Sequence, residues 1–159
     1  MRTPNIGISA TNLKKINTLL NNVLADGNII YIKLRKFHWN LNGPDFMQFH
    51  KLFEEQYTLI EQAIDDVAER ISTLGGIAIG TSSEFAKYSS LKEQPTKNPT
   101  PDAMVIELLD DHELIVRSLR DTIDKCEDTY KDKGTADMLT ELMQSHEKMA
   151  WQLRQYFKS

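Results

Sequence analysis

The stretch that decides the fold runs from Phe37 to Arg70, FHWNLNGPDFMQFHKLFEEQYTLIEQAIDDVAER. Its Asn42-Gly43-Pro44 turn cannot continue a helix, because proline lacks the amide donor and clashes with the preceding turn. After it, Phe46, Phe49, Phe53, Tyr57, Ile60, Ile64, Val67 and Ile71 recur at steps of three and four, the apolar stripe of one long helix. Before it, Leu13, Ile16, Leu20, Val23, Leu24, Ile30, Tyr31 and Leu34 repeat at mostly the same steps. Two long helices joined by so short a turn pack antiparallel. Thr11 or Asn12 can cap the first and Asp45 the second, which Gly75-Gly76 ends.

Working outward, residues 75–100 are the least regular. Ser82–Tyr88 can form a short helix, and KEQPTKNPTP is loop chemistry. Thr100-Pro101-Asp102 then reads as an N-cap, a first-position proline and a first-turn acid. The third long helix carries Met104, Leu108, Leu109, Ile115, Val116, Leu119 and Ile123. Lys133-Gly134 interrupts it, and Thr135 can cap a fourth bearing Met138, Leu139, Leu142, Met143, Met149, Ala150, Leu153 and Phe157. No strand alternation or solenoid repeat is visible. The pattern predicts an all-α four-helix bundle, with a short helix in the long crossover between the second and third long helices. One domain fills residues 1–159, behind a short tail of residues 1–10.

Composition narrows the function classes. Charged residues make up 26% and apolar ones 40%, a globular balance, and the formal net charge of −4 does not describe a basic nucleic-acid binder. Cys126 is the only cysteine, so no intrachain disulfide forms, and a small half-buried apolar role is the plain reading of it. There is no secretory apolar core near the start and no run of membrane-spanning length, so a cytoplasmic protein away from membranes is expected.

Four potential metal ligands, His38, His50, Asp65 and Glu69, sit in the deciding stretch. Asp65 and Glu69 are four apart on one helical face. His50 precedes Asp65 on the same helix by fifteen residues, roughly 22 Å at 1.5 Å per residue. A metal–ligand bond is only about 2 Å long. His38 and His50 flank the turn and lie at one end of the hairpin, with the carboxylates towards the other. Two copies packed head to tail would join them. Taken singly, each histidine is more simply a hydrogen-bonded core residue, and Asp65, Asp66 and Glu69 an ordinary solvated face. Mixed imidazole and carboxylate donors suit iron, manganese or zinc.

An intra-bundle di-iron site uses Glu-x-x-His on two helices. Here the residues three before His50, His112 and His146 are Met47, Leu109 and Met143, so that site is unsupported. His112 and His146 fall on apolar stripes and read as buried structural histidines.

Phe37-His38-Trp39-Asn40, Gly43, Phe49-His50, Phe53, Tyr57 and Asp65-x-x-Ala68-Glu69-Arg70 together resemble the signature of the Dps family, the mini-ferritins that protect DNA in starved bacteria. The likeness runs from about residue 10 to 157 and includes Thr135-Ala136-Asp137 and Glu147-Lys148-x-x-Trp151. It implies a ferritin-like fold and a hollow homo-dodecamer. It also implies a ferroxidase activity that oxidises Fe(II), with hydrogen peroxide preferred, and stores Fe(III) mineral, protecting the cell from oxidative damage. By the same resemblance, His38 and His50 of one subunit meet Asp65 and Glu69 of its partner at a two-fold iron site, and Glu54 holds a second, weaker iron. Trp39 and Tyr57 can quench stray oxidising equivalents there, with plain packing as the alternative. Asp121, Asp124, Glu127, Asp128, Asp132 and Asp137 surround the last long turn. The family lines three-fold pores with acids in that region, so Asp128, Asp132 and Asp137 are the candidates, against a simple solvated helix end.

DNA binding is the expectation that the residues support least. Residues 1–12 carry only Arg2, and the last residues offer only Arg154 and Lys158. Non-specific DNA affinity comes from Lys and Arg contacts with phosphate, which a shell of −4 subunits lacks. A non-catalytic DNA-compacting shell remains the competing function, and a metal-free structural bundle the third.

Overall fold

The structure is a computed structural model describing residues 4–157. Helix α1 spans Ala10–Asn40, α2 Phe46–Thr73, α3 Ser82–Tyr88, α4 Pro101–Asp124 and α5 Lys133–Gln155. A π-helical turn, Lys125–Thr129, extends α4, and no strand occurs among the described residues. Two hairpins, α1 with α2 and α4 with α5, form the four-helix bundle, and α3 lies in the crossover against α1. Arg2 and Lys158 fall outside the described residues. No helix among the described residues is long and apolar enough to cross a membrane.

Capping sets the helix ends, with three departures from expectation. Ser9, not Thr11 or Asn12, starts α1: its hydroxyl accepts from the Asn12 amide at 3.2 Å, and Leu13 N already donates to Ser9 O. Asp45 stands at the N-cap of α2, yet its carboxylate makes no capping bond. Thr100 caps α4 ahead of Pro101, as its spacing predicts. At α5 the cap is Asp132, whose Oδ1 accepts from Thr135 N at 3.1 Å, so Thr135 sits inside the first turn instead of capping it. In the α1–α2 turn Gly43 has φ +103°, a conformation glycine alone adopts cheaply.

The core is a continuous apolar seam. Ile16, Leu20, Ile30 and Leu34 of α1 meet Phe53, Ile60 and Ile71 of α2, Leu108 and Leu119 of α4, and Leu139 and Leu153 of α5, all buried. Burying each such side chain contributes about 1.5–3 kcal/mol. At Gly27 a Cβ would lie 3.2 Å from Ile64, so the missing side chain lets α1 and α2 approach closely. Buried charges pin the crossover. Asp26 accepts from Ser89 Oγ at 2.8 Å and Ser90 N at 2.7 Å, while Lys33 pairs with Glu107 and Asp111 of α4 and donates to Lys92 O at 3.0 Å. Each charge is compensated, as burial demands.

His112 and His146 occupy the core between α4 and α5, as their apolar flanks predict, with Nδ1 atoms 2.8 Å apart. The nearby cavity, about 20 Å³, is lined by Val23, Leu24, Gly27, Ile64, Val67 and His146 among others. Among the described residues, those lining this cavity include one imidazole and no carboxylate.

Candidate metal centre

Helix α2 runs unbroken from Phe46 to Thr73, so His50 and Asp65 are held about 22 Å apart by the helical rise. Among the described residues, no three His, Cys, Asp or Glu side chains of one chain converge closely enough to share an ion. What the chain does bring together is His38, at the end of α1, and His50, in the second turn of α2. Their rings stack with centroids 3.6 Å apart and planes 18° from parallel. His38 Nδ1 lies 2.7 Å from the main-chain oxygen of His50, and His50 Nδ1 lies 3.1 Å from that of His38.

This reciprocal arrangement settles the chemistry of both rings. A carbonyl oxygen only accepts, so each Nδ1 must carry the proton and donate. In the neutral tautomer this selects, Nε2 carries the lone pair with which imidazole binds a metal. The stacking adds a second constraint. A lone pair lies in its ring plane, and these two planes are only 18° from parallel. The two stacked imidazoles can thus each offer one ligand to neighbouring ions.

The surroundings are aromatic and acidic. Phe46 stacks on His50 at 4.8 Å, and Tyr57 meets the His38 ring edge-on at 5.4 Å. Tyr57 donates to Glu54 Oε1 at 3.5 Å, and burial with the Glu54 carboxylate nearby raises its pKa. Glu54 is exposed one turn beyond His50, on the same helical face. Asp65 and Glu69 are also exposed, on the distal half of α2. Trp39 is 64% exposed, not packed inside.

The Ferritin-like domain family matches residues 17–159. A low temperature-induced protein of Nostoc sp. is 42% identical across 97% of this chain and 86% of its own length. DNA protection during starvation protein 2 of Bacillus anthracis is 34% identical across 90% of this chain and 97% of that one. The Dps crystal structure from Vibrio cholerae O1, described as a ferritin-like diiron-carboxylate protein, superposes with a TM-score of 0.91. It is 31% identical and covers 98% of this chain and 97% of that chain. The chain belongs to the Dps family of the ferritin-like superfamily.

Within this Dps fold, the acids of the α4–α5 turn separate by environment. Asp128 and Asp137 are exposed, whereas Asp132 is only 3% exposed. Arg70 Nη2 donates to Asp132 Oδ1 at 2.9 Å, Arg70 Nε donates to Thr135 Oγ1 at 2.9 Å, and Thr135 Oγ1 donates to Asp132 Oδ2 at 2.5 Å. With both oxygens engaged, Asp132 is a structural acid, and of the three pore candidates Asp128 and Asp137 retain free carboxylates. No local sequence pattern marks this tie, because Arg70 and Asp132 are 62 residues apart.

Tyr31, Arg35 and Glu61 were also missed beside the centre. Tyr31 donates to Glu61 Oε1 at 3.2 Å, and Arg35 Nη1 donates to the Tyr31 oxygen at 3.1 Å. Their signal was present: Tyr31, Arg35 and Trp39 follow one another at four-residue steps, and Glu61 stands four beyond Tyr57.

Proposed function

We propose that this Dps-family chain assembles into a hollow dodecamer that oxidises Fe(II), its substrate, and stores the Fe(III) oxide inside. Family membership supports iron chemistry, and the stacked rings of His38 and His50, each with Nδ1 held on the other's main-chain oxygen, are the observation that carries the site. The donor set fits iron. Neutral imidazoles keep affinity for Fe(II) moderate, and carboxylate oxygens favour the higher charge of the product.

His38 works with Asp65 and Glu69 of the partner subunit, completing one site across a two-fold interface. His50 works with Glu54 at the adjacent, weaker site. The helical separation of about 22 Å supports the two-subunit arrangement, because one chain cannot close it. Exposed Trp39, Met47 and Leu59 on the same hairpin supply apolar surface for a second copy to cover. Two Fe(II) give one electron each to one hydrogen peroxide, which takes up two protons and leaves as two waters. Pairing the sites keeps that transfer even-electron and releases no hydroxyl radical. Asp128 and Asp137 concentrate cations at the outer path. The protein acts in the cytoplasm, without DNA.

Stopped-flow oxidation of Fe(II) by peroxide tests the reading. His38→Ala, or Asp65→Ala with Glu69→Ala, should slow oxidation by about 10-fold or more, the usual scale for disturbing a metal site. A wild-type rate in both variants contradicts it.

A further inference from the structure

Two tyrosines lead away from the centre, and each carries a carboxylate on its hydroxyl. Tyr57 lies edge-on to His38 at 5.4 Å, and Tyr31 lies perpendicular to Tyr57 with centroids 6.0 Å apart. The Tyr31 hydroxyl donates to Glu61 Oε1 at 3.2 Å, while that of Tyr57 reaches Glu54 only at 3.5 Å. Near neutral pH a tyrosine gives up an electron readily only if its phenolic proton leaves with it. A hydrogen-bonded carboxylate is the acceptor this requires. Glu54 is offered to the weaker iron site, so Tyr31 with Glu61 is the pair whose proton acceptor is free of metal duties.

The nearby tryptophan is disfavoured by a cation. The Arg35 guanidinium carbon sits 4.8 Å from the Trp39 ring centroid and 5.4 Å from that of Tyr31. A positive charge over the indole face opposes formation of an indole radical cation. Tyr31 instead loses its proton as it is oxidised, so it gains no net charge for the guanidinium to repel. The Arg35 hydrogen bond to its oxygen, at 3.1 Å, also remains available to the neutral radical.

We propose that Tyr57 and Tyr31 form a relay that draws single oxidising equivalents away from the centre, with Tyr31 the terminal radical and Glu61 the acceptor of its proton. The relay rests on the ferroxidase reading for its oxidant. When only one Fe(II) is bound, one electron cleaves peroxide to hydroxide and hydroxyl radical. One electron from Tyr31, passed through Tyr57, reduces that radical to hydroxide. The Tyr31 O–H bond breaks, its proton goes to Glu61, and a neutral tyrosyl radical remains.

The test uses the assembled protein and electron paramagnetic resonance in two arms. In the first, less than one Fe(II) per subunit is mixed with peroxide. In the second, the iron-free protein is oxidised by photolysed ruthenium tris-bipyridine with persulfate. Tyr31→Phe should remove most of the tyrosyl signal in both arms, and Glu61→Gln, which keeps the fold and the hydrogen bond, should cut its yield several-fold. Tyr57→Phe should suppress the signal more in the iron arm than in the photochemical arm. An indolyl signal in wild type, or a tyrosyl yield unchanged in Tyr31→Phe and Glu61→Gln, overturns the relay. Absence of Fe(II) oxidation in wild type sinks the ferroxidase reading instead, and the photochemical arm then still decides whether holes reach Tyr31.

Discussion

His112 and His146 face each other across the α4–α5 interface with 2.8 Å between their Nδ1 atoms, each buried in an apolar core. One ring donates and the other accepts, and complete burial keeps both neutral in the folded protein. Burial holds His112 well below its ordinary 6.5 and lowers His146 to about 4. The neutral forms cost nothing above pH 6.5. As pH falls below it, unfolded chains bind two protons that the fold refuses, so stability drops until the folded groups titrate. Two such protons amount to about 2.7 kcal/mol per pH unit.

Asp111 opposes this, because burial raises its carboxyl to about 6 despite Lys33, and the folded state then binds a proton first. Two protons outweigh one. The denaturant midpoint at fixed protein concentration should therefore fall from pH 7.5 to pH 5, and His112→Leu with His146→Leu should flatten that fall. Equal midpoints in the wild type would contradict the buried neutral pair.

The α4–α5 turn separates structural from electrostatic acids. Asp132→Ala removes both the α5 cap and the partner of Arg70, a loss of about 3 kcal/mol, since Arg70 keeps some contact with water. Thermal unfolding should show it directly. Asp128→Asn and Asp137→Asn should leave stability within about 0.5 kcal/mol, as exposed substitutions do. They should slow iron oxidation most at low ionic strength, where screening is weak. If Asp132→Ala slowed uptake and left the melting temperature unchanged, the assignments would be reversed.

DNA offers a test of the charge argument. With a formal charge of −4 per subunit, the assembled protein should leave plasmid mobility unchanged in a gel at neutral pH and physiological salt. Retarded plasmid under those conditions would show a basic surface that the residue counts do not provide.

The helices were legible because their signals are local. Apolar steps of three and four located α1, α2, α4 and α5, and Thr100-Pro101 marked the start of α4. The end of α4 was not legible, since Cys126 is buried by a π-helical turn in which Tyr130 N donates to Lys125 O and Asp132 N to Cys126 O. No local pattern announces that extra residue. Lys131, at φ +60°, then takes the left-handed role more often given to glycine. At the candidate centre, the twelve-residue spacing of His38 and His50 placed both at one end of the hairpin. It could not show that each ring would bond the other's backbone, because that depends on how α1 and α2 pack. The Asp132 cap escaped for a related reason: Thr135 is an equally good capping residue by type, and only the long-range tie to Arg70 decides between them.

The central claim is that the main iron site joins His38 of one chain to Asp65 and Glu69 of its partner. Subunits carrying His38→Ala, and subunits carrying Asp65→Ala with Glu69→Ala, should each form assemblies with little Fe(II) oxidation. Co-expressed together, every mixed two-fold pair regains one intact site, so about a quarter of wild-type activity should return if subunits mix at random. Hybrid assemblies no more active than either parent would contradict the claim.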